Sequence, residues 1–358
     1  MIINANSIIV CIFAIVMSEK PITILAFESS CDDTAVAVMR DGKILANVVA
    51  TQKIHEKYGG VVPELASRAH QQNIIPVLHE AINKAAININ DIDAIAYTRG
   101  PGLLGSLLVG ASFAKGLALA INKPLMDVHH MQGHILSHFI NEKENVPEFP
   151  FLCLTVSGGH TQIVLLNSYF DMKIIGETLD DAAGEAFDKS AKILGLPYPG
   201  GPLVDKYAQH GDHLKFNFPT PKIAQYDFSF SGLKTSILNF VNKEVQKDAE
   251  FIAKNLPDLC ASIQHRIVKI LMEKFEKAAI EHQVKHIGLA GGVAANSALR
   301  KEFESLANKH QWKAHIPAFE YCTDNAAMIA MVGYLKYKLL KFGNQTQTAN
   351  ARMEFDAY

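Results

Sequence analysis

The segment HHMQGHILSH, residues 129–138, sets four histidines in ten positions, and His130, His134 and His138 recur at intervals of four. Residues four apart share one face of a helix, so His130 and His134 can turn two imidazoles toward a single ion. The same spacing suits a surface or capping pair, and spacing alone leaves both readings open. A zinc peptidase would carry a glutamate directly after the first histidine to activate water, but Met131 holds that slot. If the pair binds a metal, a third ligand must come from elsewhere in the chain.

Two glycine loops have the composition to seat an anion or a nucleotide, and a third, acidic loop occupies the same kind of strand-turn position. SGGHT (157–161) lies between two apolar runs, and its glycines let backbone N–H groups approach a phosphate closely. AGGVAAN (290–296) follows a strand pattern and opens a helix, where free N–H groups and the helix dipole favour negative charge. SSCDDT (29–34) puts Asp32 and Asp33 in a tight turn after an apolar strand. Neither glycine loop matches a P-loop or GxGxxG, and each glycine pair alone is as readily structural.

These loops need elements to hold them. ITILAFESSCDDTAVAVMRDGKILAN reads as strand, loop, strand and a turn at Asp41-Gly42, and FLCLTVSGGHTQIVLLNSYFDMKIIG repeats that plan. Helical periodicity runs from Pro63 to Ala86, in GPGLLGSLLVGASFAKGLALA, in DDAAGEAFDKSAKILGL up to Gly195 and Pro197, from Leu256 to His282, and in NAAMIAMVGYLKYKLL. The alternation predicts an α/β fold of two related lobes, each with a mixed sheet, facing each other across a cleft. The expected boundaries are an extension over 1–19 (an upstream start or a disordered leader), an N-terminal lobe over 20–128 and a C-terminal lobe over 129–324. A final helix, 325–342, is expected to pack back on the first lobe.

At 358 residues, 49% hydrophobic and 20% charged, the chain reads as globular, and a formal charge of -2 argues against bulk electrostatic capture of nucleic acid. Any such contact must be a local patch or be shared with a partner. Cys11, Cys31, Cys153, Cys260 and Cys322 are scattered and form no CxxC, which fits reduced thiols in a cytoplasmic compartment. The apolar run Ile8 to Met17 lacks a preceding basic residue and is too short to span a bilayer, so no membrane association is expected.

The three loops together are similar to the phosphate and adenosine loops of the actin, sugar kinase and Hsp70 fold, a pair of ribonuclease H-like lobes with nucleotide between them. HEKYGGVVPELASRAH, GPGLLGSLLVGA, HHMQGH, VSGGHTQIV, DDAAGEAFDKSAKILGLPYPGGP, FSFSGLKT, AGGVAAN and CTDNAAM stand in the order of a known family. By these motifs the chain resembles the bacterial tRNA N6-adenosine threonylcarbamoyltransferases, from about residue 22 to residue 335.

The resemblance implies transfer of a threonylcarbamoyl group from threonylcarbamoyl-AMP to N6 of the adenosine 3′ of the anticodon, in tRNAs reading codons that begin with A. It implies one divalent metal, Fe2+ or else Zn2+, held by His130, His134 and Asp324. It assigns Thr155, Val156, Ser157, Gly158 and Gly159 to the substrate loop, and Asp188, Gly201, Asp205 and Asn296 to the nucleotide. For Asp188 the alternative is pairing with Lys189 or Lys192; for Asn296 it is a helix cap. Asp32 is a candidate base or orienting group, and Asp33 stands where many relatives carry glutamate. Arg68, Lys115 and Lys234 are candidates for phosphate contacts against the ordinary reading as solvated surface groups. Implied partners are tRNA, a smaller paralogous subunit and a small ATPase. The rival readings are a small-molecule kinase of the same fold, a nucleotide-switched binding protein and a metallopeptidase.

Overall fold

The structure is a computed structural model that describes residues 20–140 and 146–355; the expected extension, 1–19, and Cys11 lie outside the described residues. Two five-stranded sheets dominate it. The first contains β1 (Thr23–Glu28), β2 (Asp33–Arg40), β3 (Lys43–Thr51), β4 (Ala94–Gly100) and β5 (Leu125–His129), in the order β3-β2-β1-β4-β5. The second contains β6 (Phe151–Val156), β7 (Thr161–Leu166), β8 (Met172–Glu177), β9 (His286–Ala290) and β10 (Lys313–His315), in the order β10-β9-β6-β7-β8.

The sheets share one plan. Each begins with an antiparallel meander (β1-β2-β3 and β6-β7-β8) and adds two parallel strands beside the first strand of the meander. The strand-loop-strand repeat in the sequence is therefore the start of two equivalent sheets.

Helices cover both faces of each sheet, which is why β1 and β6 are buried at every residue. On the outer face of the first sheet lie α1 (Pro63–Ala85) and α2 (Leu104–Ala120), closing a core around Leu25, Phe27, Val36, Tyr97 and Ala114. On the outer face of the second lie α4 (Ala183–Ile193), α5 (Gly201–Ala208), α6 (Ser231–Val245), α7 (Phe251–Glu281) and α8 (Ser297–His310). The inner layer between the sheets is made by α3 (His130–Leu136) and α9 (Ala326–Lys338), whose Met131, Ile135, Met328 and Ile329 share one core with Ala26 of β1 and Phe151 of β6.

Of the helix ends that differ from the periodicity, two show the physical reason. Pro257 suggests a start for α7 near Leu256, yet the helix begins at Phe251. The earlier turns are held by ring packing of Phe251 against Phe216 and Phe240, which offsets the one backbone hydrogen bond that Pro257, inside the helix, cannot donate. The final helix ends at Lys338 rather than 342, because Leu340 turns left-handed at φ 56°. Beyond it the chain crosses back over the first sheet, with Asn350 N–H donating to the Arg99 carbonyl and Gly102 N–H to that of Ala351. Lys115, a phosphate candidate, instead donates to the Gln345 and Gln347 carbonyls of this segment, and Arg68 pairs with Glu64 on the surface. No helix among the described residues is long and apolar enough to cross a membrane.

Candidate active site

α3 follows β5 without a loop. His129 caps it, accepting from Met131 N–H at 3.2 Å, while its Nε2 meets the Met353 carbonyl at 3.2 Å. His130 and His134 are then one turn apart on the same face, their rings 4.8 Å apart and nearly perpendicular. Asp324 arrives from the other end of the chain, one residue before Asn325, which caps α9 by accepting from Met328 N–H at 3.0 Å. Its Oδ1 lies 3.4 Å from His130 Nε2 and 3.2 Å from His134 Nε2, and the three ligand atoms lie within 4.8 Å of one another. Ligands at ~2.05 Å from a tetrahedral ion stand about 3.3 Å apart, a spacing that the two carboxylate–imidazole separations match.

Electrostatics agree. Burial works against a charged His130, but the carboxylates of Glu28 and Asp324 outweigh it and hold the ring well above the usual imidazole range. Burial likewise raises Asp324, yet His130 and His134 overcome it and the carboxyl stays well below its ordinary value. The carboxylates thus demand a positive charge at this point, which a divalent ion satisfies with neutral imidazoles. Met131 is buried in the inner core, so the residue in the peptidase glutamate slot faces away from any water here.

His130 and Asp324, with His134 buried behind them, open into a cavity of about 660 Å³, walled by Asp32, Asp33 and Gly102 on one side and Ser157, Gly158 and His160 on the other. A second cavity of about 460 Å³, lined by Phe187, Asp205, Val293, Asn296 and Phe319, continues from it through Gly158, Asp188, Pro199 and Gly292. The crevice is of a size to take a nucleotide, with the histidines at one end and an apolar pocket at the other. Tight backbone packing shapes it. Gly291 (φ +87°) lies where a Cβ would meet the Val156 carbonyl at 2.4 Å. Gly158 and Gly159 are the reverse: a Cβ there would meet nothing within 4 Å, so the space in front of them belongs to the cleft.

The family model for tRNA N6-adenosine threonylcarbamoyltransferase, TsaD, matches residues 43–331. The chain belongs to this family. It is 60% identical to the tRNA N6-adenosine threonylcarbamoyltransferase of Christiangramia forsetii over 340 residues, covering 95% of this chain and 100% of that protein. The enzyme of the same name from Riemerella anatipestifer is 59% identical over 338 residues, covering 94% and 99%. Among solved structures, HypF from T. kodakarensis shares the fold at a TM-score of 0.58 and 15% identity, over 90% of this chain and 49% of that one. A full-length HypF in its phosphate- and nucleotide-bound form matches at 0.58 and 12% identity, over 91% and 57%. The chain is thus a transferase with tRNA as substrate, on the actin and sugar kinase fold.

The other residues assigned by the family motifs are placed unequally. Ser157, Gly158 and Gly159 line the crevice, whereas Thr155 and Val156 are fully buried in β6 and line neither cavity. Asp188 does not pair with a lysine; Lys189 is taken by Asp181 and Glu185. Its Oδ1 accepts instead from Gly200 and Gly201 N–H at 2.8 and 3.0 Å, shaping the turn that opens α5. Asp205 accepts from Ser297 N–H and Oγ, which fastens α5 to the start of α8. Asn296 caps α8 through Leu299 N–H and donates to Gln264, as the cap alternative requires. All three line the apolar pocket while holding its backbone turns in place.

Glu28 and His160 were not singled out by motif. His160 lines the cavity, and burial, aided by His130 and His134, pushes it down to about 4. Glu28 carried one signal, a carboxylate at the end of an otherwise apolar strand, rare unless the group is paired. Cys31 is no nucleophile: burial, then Asp32, pushes its thiol up beyond reach. Lys53 is the one lysine or arginine lining this cavity among the described residues, set against Asp32, Asp33, Glu56, Glu185, Asp188 and Asp324.

Asp33 gives a test of this acid-rich wall. Burial raises its carboxyl to about 7 from 3.8, the Thr51 hydrogen bond opposing, and its Oδ1 is buried without a hydrogen-bond partner. Between those pH values the native state binds the proton more tightly than the unfolded chain, so this group's contribution to stability falls as pH rises from about 4 to about 7. Asp33→Asn removes that slope. In urea unfolding of metal-free protein, the variant should match wild type near pH 4 and exceed it near pH 8 by on the order of 1–3 kcal/mol. Equal stability at both would show that water or a counter-ion already relieves the carboxylate.

Proposed function

We propose that the crevice carries threonylcarbamoyl-AMP with its adenosine in the Phe187–Asn296 pocket and its phosphate before Gly158 and Gly159, and transfers the threonylcarbamoyl group to N6 of the adenosine 3′ of the anticodon. The tRNAs concerned read codons beginning with A. The observation that supports this most is the continuity of the cavity from His130 and Asp324, past the glycine turn, into the apolar pocket.

In the transfer, the N6 lone pair attacks the carbamoyl carbon, the C–O bond to phosphate breaks, and its electron pair leaves on AMP. The backbone N–H groups of the glycine turn neutralise charge growing on that phosphate. N6 is a weak nucleophile because its lone pair is delocalised into the ring, so its alignment and the removal of its proton limit the rate. Asp32, lining the same cavity, is assigned to accept that proton or to orient the amine. A divalent ion, Fe2+ or else Zn2+, held by His130, His134 and Asp324, would supply Lewis-acid stabilisation of developing negative charge. That contribution matters in a cleft so rich in carboxylates, which would otherwise repel an anionic donor.

With a formal charge of -2, the chain is assigned to share its tRNA grip with a smaller paralogous subunit and a small ATPase. Free thiols at Cys31, Cys153, Cys260 and Cys322 suit the cytoplasm, where tRNA is found. Incubating the protein and these partners with threonylcarbamoyl-AMP and unmodified tRNA, then digesting the tRNA for mass spectrometry, should show one adenosine carrying the group. An unmodified digest with active partners present overturns the proposal.

A further inference from the structure

Glu28 ends β1, a strand buried at every position, and is 1% exposed. A carboxylate taken from water costs several kcal/mol unless its oxygens are well bonded, and these are. Oε1 accepts from Ser30 N–H at 2.5 Å. Oε2 accepts from Thr98 Oγ at 2.6 Å and lies 3.1 Å from His130 Nδ1. None of the chemistry above uses it.

We propose that Glu28 is a positioning residue of the metal centre: by accepting the Nδ1 proton of His130 it fixes the tautomer and orientation that turn the Nε2 lone pair toward the ion. The inference rests on His130, His134 and Asp324 being the ligands. A ligating imidazole commonly donates its other N–H to a carboxylate, which makes the coordinating nitrogen a stronger base.

The two histidines contrast on this point. Nδ1 of His134 is buried without a hydrogen-bond partner, so only His130 has a carboxylate behind it. Glu28 also reaches beyond the ring. Ser30, held by Oε1, places its own Oγ 3.2 Å from His130 Nδ1 and accepts Leu103 N–H at 2.8 Å through its carbonyl. Thr98 stands in β4 just before the Gly100-Pro101-Gly102 turn, which packs so closely that a Cβ on Gly102 would lie 2.4 Å from the Ser30 carbonyl. One carboxylate therefore sets the metal-binding helix, the loop carrying Asp32 and the turn facing it in a common register.

Cobalt binding tests this without reference to catalysis. Full-length wild type, Glu28→Gln, Glu28→Asp and His134→Ala are titrated with Co2+ against a chelator, and the visible d–d bands are recorded. Wild type should bind one Co2+ per chain and His134→Ala should lose it. Glu28→Gln, equal in size but uncharged, should bind about 10–100-fold more weakly with shifted bands, and Glu28→Asp should fall between. If Glu28→Gln keeps its affinity within about twofold and its bands unmoved, while His134→Ala loses the ion, the inference fails and the ligand assignment stands. If wild type takes up no Co2+, or His134→Ala retains it, the ligand assignment itself fails and the inference with it.

Should Glu28→Gln not fold, imidazole 15N spectra of Zn2+-loaded wild type decide the question. His130 protonated at Nδ1 and bound through Nε2 supports the role, and binding through Nδ1 overturns it.

Discussion

Asp324→Asn is expected to empty the metal centre and to lower the rate of transfer by about a thousandfold, which corresponds to roughly 4 kcal/mol of transition-state stabilisation. The substitution keeps shape and hydrogen-bonding capacity and removes charge. Asp324 alone approaches both imidazoles, at 3.4 and 3.2 Å, so no other side chain of the trio can replace it. The fold should survive, because the cap of α9 is made by Asn325. Metal content by elemental analysis, modified nucleoside by mass spectrometry and a thermal melt separate the three quantities. Retained metal with lost activity would move Asp324 from ligand to substrate contact; retained metal and activity together would remove it from the mechanism.

Gly158→Val should produce the opposite pattern, full metal occupancy with donor binding weakened by about a hundredfold or more. A Cβ on Gly158 meets nothing within 4 Å, and the residue is exposed at the crevice between His130 and the apolar pocket. Stability should therefore change by no more than about 0.5 kcal/mol, as for an ordinary surface substitution. The added methyl groups would stand where the phosphate meets the backbone N–H groups. Equilibrium binding of AMP or of a non-transferable donor analogue measures this directly. Unchanged affinity would place the phosphate elsewhere and break the link between the glycine turn and the ion.

The sequence carried the parts of this site that depend on local spacing. Two histidines one turn apart, and glycines between two strands, declare their geometry without knowledge of the rest of the chain. The strand-loop-strand repeat likewise announced two equivalent sheets, because alternation and turn residues are local signals. Asp324 could be named only through family motifs, since nothing near CTDNAAM says that it faces residues almost two hundred positions earlier. Glu28 was half legible: a carboxylate ending an apolar strand signals a paired group, but its partners Thr98 and His130 come from separate elements and could not be named from that strand. Asp188 and Asp205 show the converse limit. Their motifs pointed to ligand contacts, and both do line the crevice, but no motif showed that they also hold the N–H groups of Gly200, Gly201 and Ser297. The start of α7 at Phe251 was illegible because aromatic packing from other elements, not helix periodicity, holds its first turn.

The polypeptide passes between the two sheets twice, once from β5 to β6 and once from β10 back to α9. His130 and His134 ride on the first pass and Asp324 on the second, so an ion bound there clasps both strands of the connection. Stripping such an ion would therefore loosen the two halves from each other as well as empty the site, giving the metal a structural duty beside its chemical one.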